Sequence, residues 1–555
     1  MACSSRQQFS LKRLQVPTYT LPTHTKKIYT PSEAMSAATV VPSPSPEAKA
    51  QALKLKDEGN VYIKQQNYSK AVEFYTKAIE LDPTVSIFYS NRALANQKQD
   101  NFQSAVNDCN EAIRLDPKNI KAYHRRGLSY AALLEFKKAR SDLKLVLAAK
   151  PSGDAVAQRA LAMCERFIRE EKFKRAIGGG DEDEKERRIC ELISLSSFDS
   201  NSDLARYEGP KLELEQLKDN KGENAGIAIK NMSQDFISGM VNDVFLKGKN
   251  IPKKYAAAII SHAERLFRNE PTLVELSNLD NPTHKISVCG DVHGQFYDVL
   301  NIFSKFGKVN ETHHYLFNGD FVDRGSWSCE VALLFYSLKI LFPKTMHLNR
   351  GNHETNNMNR MYGFEDECKH KYSSRIYDMF SHSFESLPLA TLINNNYLTM
   401  HGGLPSDTKL TLEDIRKIDR FSQPPREGLF MELLWSDPQK SNGFGPSQRG
   451  LGFSFGPDIT AEFLQKNNLR KIFRSHEVRM GGVELEHDKK LITVFSAPNY
   501  VDSQKNLGAV IHVTPGNGNL GAYGNDDEDL FIETFDCVPH PDIKPMAYSN
   551  GGFGF

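Results

Sequence analysis

The sequence has no C-x-x-C pair: its eight cysteines (Cys3, Cys109, Cys164, Cys190, Cys289, Cys329, Cys368 and Cys537) lie scattered along 555 residues. That excludes a disulfide framework and a zinc module, and it fits a reducing compartment. No run of 18 uncharged apolar residues occurs, so no transmembrane segment is expected. Charge of one sign is missing as well. The 70 Lys and Arg against 69 Asp and Glu leave a net charge of +1, which gives no bulk reason to expect a nucleic-acid partner. Acids are nearly absent from residues 1–46, where Glu33 stands alone among Ser, Thr, Pro and the bases Arg6, Lys12, Arg13, Lys26 and Lys27. Such a stretch reads as a disordered or targeting extension. Cytoplasmic and nuclear location is the expectation, with a chloroplast or mitochondrion as the alternative if residues 1–46 act as a transit peptide.

A chain of this length is too long for one core. From about residue 50 it repeats itself, with units ending at Pro83, Pro117 and Pro151, 34 residues apart each time. Small residues recur at two fixed places, Gly59, Ala93 and Gly127, then Ala71, Ala105 and Ala139. They allow two antiparallel helices to approach closely, and the proline ends the second helix. This is the tetratricopeptide pattern. The predicted domain spans residues 47–177, with repeats at about 50–83, 84–117 and 118–151 and a capping helix over 152–176. A linker is expected at 178–199, where GGGDEDEKERR combines flexibility with a solvated charge run. Residues 200–280 read as helical and amphipathic, and a tail is assigned to 549–555.

Beyond Lys285 short apolar runs end in polar loops. ISVC leads to Asp291 and His293, YLF to Asp320, Asp323 and Arg324, and MHL to Asn352, His353 and Glu354. NYLTM leads to His401, LRKIF to His476, and LITVF to Tyr500. Ligand sites gather at the C-terminal ends of strands in α/β sheets. Asp, His and Asn without Cys suit a pair of divalent ions rather than a structural zinc. Two such ions about 3.5–4 Å apart activate a shared water and stabilise an in-line displacement at phosphorus. Arginines can hold a phosphate bidentately, and a His not used as a ligand can protonate the leaving group. Phosphate-ester hydrolysis needs all of these parts.

GDVHGQ, GDFVDRG and RGNHE, followed in order by HGG, RSHE and SAPNY, resemble the signature blocks of the phosphoprotein phosphatase family of Ser/Thr phosphatases. Together with the N-terminal repeats and VPHPDIKPMAY near the C-terminus, they resemble the type-five branch of that family, in a plant-like form. The resemblance implies a fold class of α plus α/β: a three-repeat helical solenoid followed by a metallophosphoesterase-type β-sandwich flanked by helices, with the catalytic domain over residues 200–548. It implies two divalent ions per catalytic domain, Mn²⁺ or Fe and Zn, and hydrolysis of phosphoserine and phosphothreonine in proteins by a hydroxide shared between the ions. Asp291 and His293 would hold one ion, Asp320 would bridge, and Asn352, His401 and His476 would hold the other. His353 would be the general acid, oriented by Asp323, and Arg324, Asn352, Arg449 and Tyr500 would bind the phosphate. Glu354 is read as fixing its loop rather than binding metal.

Two departures from the family pattern stand out. Val501 follows SAPNY where the family commonly has Cys, and the tail AYSNGGFGF has poor helix propensity. The type-five branch helps to hold itself inactive with a C-terminal helix, and the resemblance alone does not carry that restraint over to this tail. The repeat positions Lys56, Asn60, Asn91, Lys121 and Arg125 resemble the clamp that binds Glu-Glu-Val-Asp termini of the ninety-kilodalton heat-shock chaperone. The leading expectation is a chaperone-recruited phosphatase restrained by its repeats. A catalytically silent adaptor with the same clamp is the alternative.

Overall fold

The computed structural model describes residues 44–515 and 529–549 apart from short gaps at 151–152, 178–193, 195–197, 199–203, 221, 278–280 and 282. The extension before residue 44, most of the expected linker and all of the expected tail but Ser549 lie outside the described residues.

The 34-residue period becomes three helical hairpins, α1 (Pro46–Lys64) with α2 (Tyr68–Leu81), α3 (Ser86–Gln97) with α4 (Phe102–Leu115), and α5 (Ile120–Ala132) with α6 (Phe136–Ala149). A longer helix, α7 (Ala155–Ile177), follows. The small residues do what their spacing suggests: a Cβ on Gly59 would run into the Tyr75 ring, and Ala93 packs directly on Ala105 and Cys109. Asn67 and Asn119 cap α2 and α5 by accepting backbone N–H groups of Lys70 and Ala122. The period also aligns an ion pair, Arg92 with Asp108 and, one repeat later, Arg126 with Asp142.

Residues 200–280 differ from expectation. Besides the helix Lys253–Arg268 they hold a hairpin, β1 (Leu214–Lys218) with β2 (Asn224–Ile229), and a strand, β3 (Leu273–Leu276). The hairpin follows from a period of two: Ile227 and Ile229 face the core, and Ser261 and His262 of the long helix accept the N–H groups of Ile227 and Ile229.

The six apolar runs are all strands: β4 (Lys285–Cys289), β5 (His313–Asn318), β6 (Met346–Asn349), β8 (Tyr397–Met400), β12 (Lys471–Arg474) and β14 (Leu491–Val494). With β3, β7 (Ala390–Ile393), β13 (Val483–Glu486), β15 (Gly508–Val513) and β16 (Leu530–Phe535) they build two sheets, ordered β16-β15-β4-β5-β6 and β13-β14-β12-β8-β7-β3, while β9 (Asp437–Pro438), β10 (Phe444–Pro446) and β11 (Phe453–Phe455) form a small separate sheet. Ile286, Val288, Leu316, Phe473, Ile492 and Val494 fill the space between them. Alternate residues of the same strands, Tyr315 and Phe317, turn outward onto a helical layer that includes Ser328–Leu341. The result is a β-sandwich flanked by helices, with the parallel trios β4–β5–β6 and β8–β12–β14 opening their C-terminal ends to one edge. Among the described residues no helix is long and apolar enough to cross a membrane.

Candidate active site

Buried amides stitch the two sheets together at that edge. Asn318, ending β5, donates to Met400 O and Ser475 Oγ of the opposite sheet, at 2.8 and 2.9 Å. Asn349, ending β6, donates to Asn318 Oδ1 and accepts from Thr391 Oγ1, both at 2.8 Å. The loops leaving these strands turn sharply. His293, Asp320, Asp323, Arg324 and His476 all have left-handed backbone, with φ between 42° and 70°. Non-glycine residues hold such conformations only where the surroundings over-determine them. Gly351 has to be glycine, because a Cβ there would strike the Asp320 carboxylate.

Glu354 supplies much of this constraint. Its carboxylate accepts from the backbone N–H groups of Asp320 and Gly351, both at 2.8 Å, and of Phe321 at 2.9 Å. It thus fastens the NRGNHE loop to the loop after β5. Burial and the neighbouring Asp320 carboxyl push Glu354 up to about 8.

The expected metal ligands come together, fully buried. His401 Nδ1 donates to Asn318 O (2.8 Å) and His293 Nδ1 to Val322 O (3.0 Å). A carbonyl can only accept, so each ring carries its proton on Nδ1 and aims a bare Nε2 inward. His293 Nε2 lies 3.8 Å from Asp291 Oδ2 and 3.7 Å from Asp320 Oδ2. His401 Nε2 lies 3.2 Å from Asp320 Oδ2 and 3.2 Å from His476 Nδ1. The Asn352 amide oxygen sits 2.9 Å from His401 Nε2, 3.1 Å from His476 Nδ1 and 3.0 Å from Asp320 Oδ2. Turned over, that amide would donate to the same atoms, so a cation is what makes the oxygen-inward orientation favourable. Two clusters have donor atoms close enough to share an ion, His293 with Asp320 and His353, and Asp320 with His401 and His476. The residues present therefore fit a pair of divalent ions centred on Asp320, although the first cluster takes in His353 rather than the expected Asp291, which stands beside it at 3.8 Å from His293 Nε2. Burial, helped by the neighbouring Asp320 and Asp323 carboxyls respectively, pushes the Asp291 carboxyl up to about 7 and Asp320 well above its usual range. Burial with nearby imidazole and guanidinium groups holds His293 and His476 neutral. Ions at this position reverse that balance for the carboxylates.

His353 differs from the other imidazoles. Its Nδ1 faces Asp323 Oδ2 at 2.9 Å, and Asp323 is fixed in turn by the backbone N–H of Phe364 (2.9 Å) and the side chain of Asn359 (3.1 Å). Its Nε2 is 4.0 Å from Asp320 Oδ2. Burial and the Arg324 guanidinium hold the ring neutral.

Arg324, Arg449 and Tyr500 line the same open cavity as His353. Arg449 is oriented by Asp437, with Nε to Oδ2 at 2.6 Å, and donates to His476 O at 3.1 Å. The Arg324 guanidinium stacks 3.9 Å over the Tyr362 ring. Its Nη2 meets an unexpected partner, Asp100 of the repeat domain, at 2.8 Å. Sequence reasoning missed Asp100 and Asp437, because each acts through a contact distant in the chain.

Asp100 lies in the α3–α4 turn, and neighbouring contacts hold that turn over the cavity. Gln103 and Ser104 donate backbone N–H groups to Gln448 O at 2.9 and 3.3 Å. Phe102, Leu128 and Phe167 share one apolar cluster with Met358, Met361 and Tyr362 of the sandwich domain. The cavity, about 1370 Å³ with its mouth, is walled by both domains.

On the concave side of the repeats, Asn60, Asn91 and Arg125 form a chain. Asn91 Nδ2 donates to Asn60 Oδ1 at 3.3 Å, and Arg125 Nη1 reaches Asn91 Oδ1 at 3.5 Å and also donates to Ser90 O. Lys56 pairs with Asp57 at 2.6 Å. Lys121 is exposed one helical turn before Arg125.

Residues 284–480 match the calcineurin-like phosphoesterase family, 161–275 the PPP5 TPR repeat region, and 52–85 and 87–119 the tetratricopeptide repeat. Serine/threonine-protein phosphatase T of Saccharomyces cerevisiae is 69% identical over 512 residues, 92% of this chain and 99% of that protein. Human serine/threonine-protein phosphatase 5 is 43% identical over 507 residues, 91% of this chain and 95% of that protein. The Arabidopsis thaliana relative is also 43% identical, so the plant-like expectation gives way to closer likeness with yeast. A solved structure, a protein serine/threonine phosphatase from Saccharomyces cerevisiae similar to human PP5, covers 57% of this chain and all of its own at 72% identity and a TM-score of 0.56. With near-complete coverage at that identity, and with site and repeats in the same order, this chain belongs to the protein phosphatase 5/T family of Ser/Thr phosphatases.

Proposed function

We propose that the chain hydrolyses phosphoserine and phosphothreonine in proteins, restrained by its repeats and recruited to chaperones through them. The observation that carries this is the convergence of bare lone pairs from Asp291, His293, Asp320, Asn352, His401 and His476 beside two guanidinium groups and the His353–Asp323 dyad. Asp291, His293 and Asp320 would hold one divalent ion, and Asp320, Asn352, His401 and His476 the other, with Mn²⁺ or Fe and Zn as the proposed metals. Bound there, the ions supply an activated water and neutralise charge at the phosphoryl group. Arg324 and Arg449 clamp the phosphate from two sides, with Asn352 and Tyr500 beside them. His353 protonates the leaving oxygen: an arriving phosphate dianion offsets the Arg324 charge that otherwise disfavours its imidazolium, and Asp323 holds the Nδ1 proton.

Asp100 occupies the place of a phosphate oxygen on Arg324, which supports restraint by the repeats. The Asn60–Asn91–Arg125 chain, flanked by Lys56 and Lys121, supports capture of a Glu-Glu-Val-Asp terminus of the ninety-kilodalton heat-shock chaperone, its carboxylates meeting the bases and amides.

The test is manganese-dependent hydrolysis of a phosphoserine peptide by the full chain and by residues 190–555. A slow full chain beside a fast truncate is the expected result. Equal rates would discard the restraint, and silence of both with metal bound would leave the adaptor.

A further inference from the structure

We propose that the C-terminal segment 544–548 is a positioning strap for Arg324, needed for phosphate binding even where no Asp100 carboxylate competes for that guanidinium. The inference rests on the phosphatase reading. Asp323 and Arg324 hold consecutive left-handed conformations at φ 69° and 68°, so their loop needs support from outside itself. On the side of the active site, Arg324 N–H donates to Tyr362 O at 3.0 Å and Gly325 N–H to His293 O at 2.8 Å. Three further bonds reach the loop from more than 200 positions along the chain. Met546 N–H donates to Arg324 O at 3.1 Å. Ser326 Oγ donates to Lys544 O at 2.7 Å and accepts from Ala547 N–H at 3.1 Å. Lys371 donates to Ser326 O at 2.9 Å, and Tyr548 lays its ring 5.2 Å from the Lys371 ammonium.

The strap is itself anchored upstream, where Val538 N–H donates to Asp298 Oδ1 at 2.9 Å and His540 meets Asp502 at 3.0 Å. None of its bonds touches a metal-ligand side chain. Loosening it frees the backbone of Arg324 and misplaces the guanidinium while leaving the ion cluster intact. The consequence is weaker phosphate binding at unchanged metal content.

Met546 allows a paired test, because its own φ is +54° and because Met546→Pro and Met546→Gly equally remove its side chain from the edge of the inter-domain cluster. Met546→Pro removes the N–H and cannot take a positive φ, whereas Met546→Gly keeps the N–H and favours that conformation. Both are made in the full chain carrying Asp100→Ala, so that no carboxylate competes for Arg324. The probes are inorganic phosphate, read as an inhibition constant and by calorimetry, and a phosphoserine peptide, read as KM and kcat, with metal per chain measured alongside. Met546→Pro is expected to raise KM and the phosphate constant about tenfold with metal retained and kcat within about threefold, as for a displaced binding group. Met546→Gly is expected to leave the phosphate constant within about twofold. Ser326→Ala, which removes the shared hydroxyl without constraining the backbone, is expected to raise the phosphate constant about threefold. An unchanged phosphate constant in Met546→Pro and Ser326→Ala overturns the proposal, and so does an equal loss in Met546→Gly. If the parent binds phosphate by calorimetry but hydrolyses nothing, the phosphatase reading fails while the strap is still measured.

Discussion

His353 keeps its two ring nitrogens in different surroundings, Nδ1 against the fixed Asp323 carboxylate and Nε2 toward Asp320 across 4.0 Å. A residue so held can pass a proton without binding a metal. His353→Asn should therefore lower turnover by roughly 10²–10⁴, the range for loss of one general acid, with metal content unchanged. A normal rate would remove it from that role. Asp437 acts at one remove. Burial raises its carboxyl, but the Arg449 and Arg474 guanidinium groups outweigh burial and hold it below its usual value. A depressed carboxyl contributes stability above its unfolded pKa and loses that contribution as pH falls through the folded one. Asp437→Asn should raise KM for phosphopeptide several-fold by freeing Arg449, roughly what one charge-assisted hydrogen bond is worth, and should weaken the dependence of thermal stability on acid. An unaltered KM would count against Arg449 as a phosphate ligand. At this scale the motif residues were legible, since each polar residue follows an apolar strand. Glu354 reads from the sequence as fixing its loop, as it does; Asp437 and Asn318 were not legible in their roles, because what they do depends on partners across loops and across the two sheets.

Among the elements, the repeat hairpins and all six site strands follow from periods that sequence displays directly: 34 residues, and short apolar runs. The β1–β2 hairpin was hidden because the strong helical signal of Lys253–Arg268 coloured the whole window around it. Residues 545–548 form turns, and the tail beyond Ser549 lies outside the described residues. The same helices carry two surfaces. Lys121→Glu, on the exposed start of α5, should abolish binding of a Glu-Glu-Val-Asp peptide by the full chain while leaving that chain's own rate on a phosphoserine peptide unchanged, which calorimetry and an assay check together. Gln97, at the end of α3, donates to Arg125 O and Ser129 Oγ at 2.8 and 2.9 Å. The clamp side and the turn bearing Asp100 are thus neighbouring parts of one packed helix pair.

For the whole molecule, the two domains share a single apolar cluster at their junction, so they should melt together while docked. Adding Mn²⁺ should stabilise the full chain by mass action, by about 2.7 kcal/mol for one ion at a hundredfold excess over its dissociation constant, and so raise its melting midpoint. His401→Ala should diminish that shift by the part due to its own ion, and an undiminished shift would place that ion elsewhere. Composition and pattern showed that the chain has two domains, but not that a turn of one lies in the active site of the other. That arrangement depends on shape complementarity, which no periodicity encodes.

The Asp100–Arg324 contact makes the restraint a matter of local concentration. A carboxylate carried on a fixed turn of the same chain faces its guanidinium at an effective concentration that no dilution lowers. It behaves as a tethered competitor of the phosphate, and a competitor shifts KM and leaves the limiting rate alone. Enough phosphopeptide should therefore bring the full chain and Asp100→Ala to the same turnover. The brake would then filter substrates by abundance and affinity, silencing sparse encounters while yielding to a substrate that a bound chaperone holds close by.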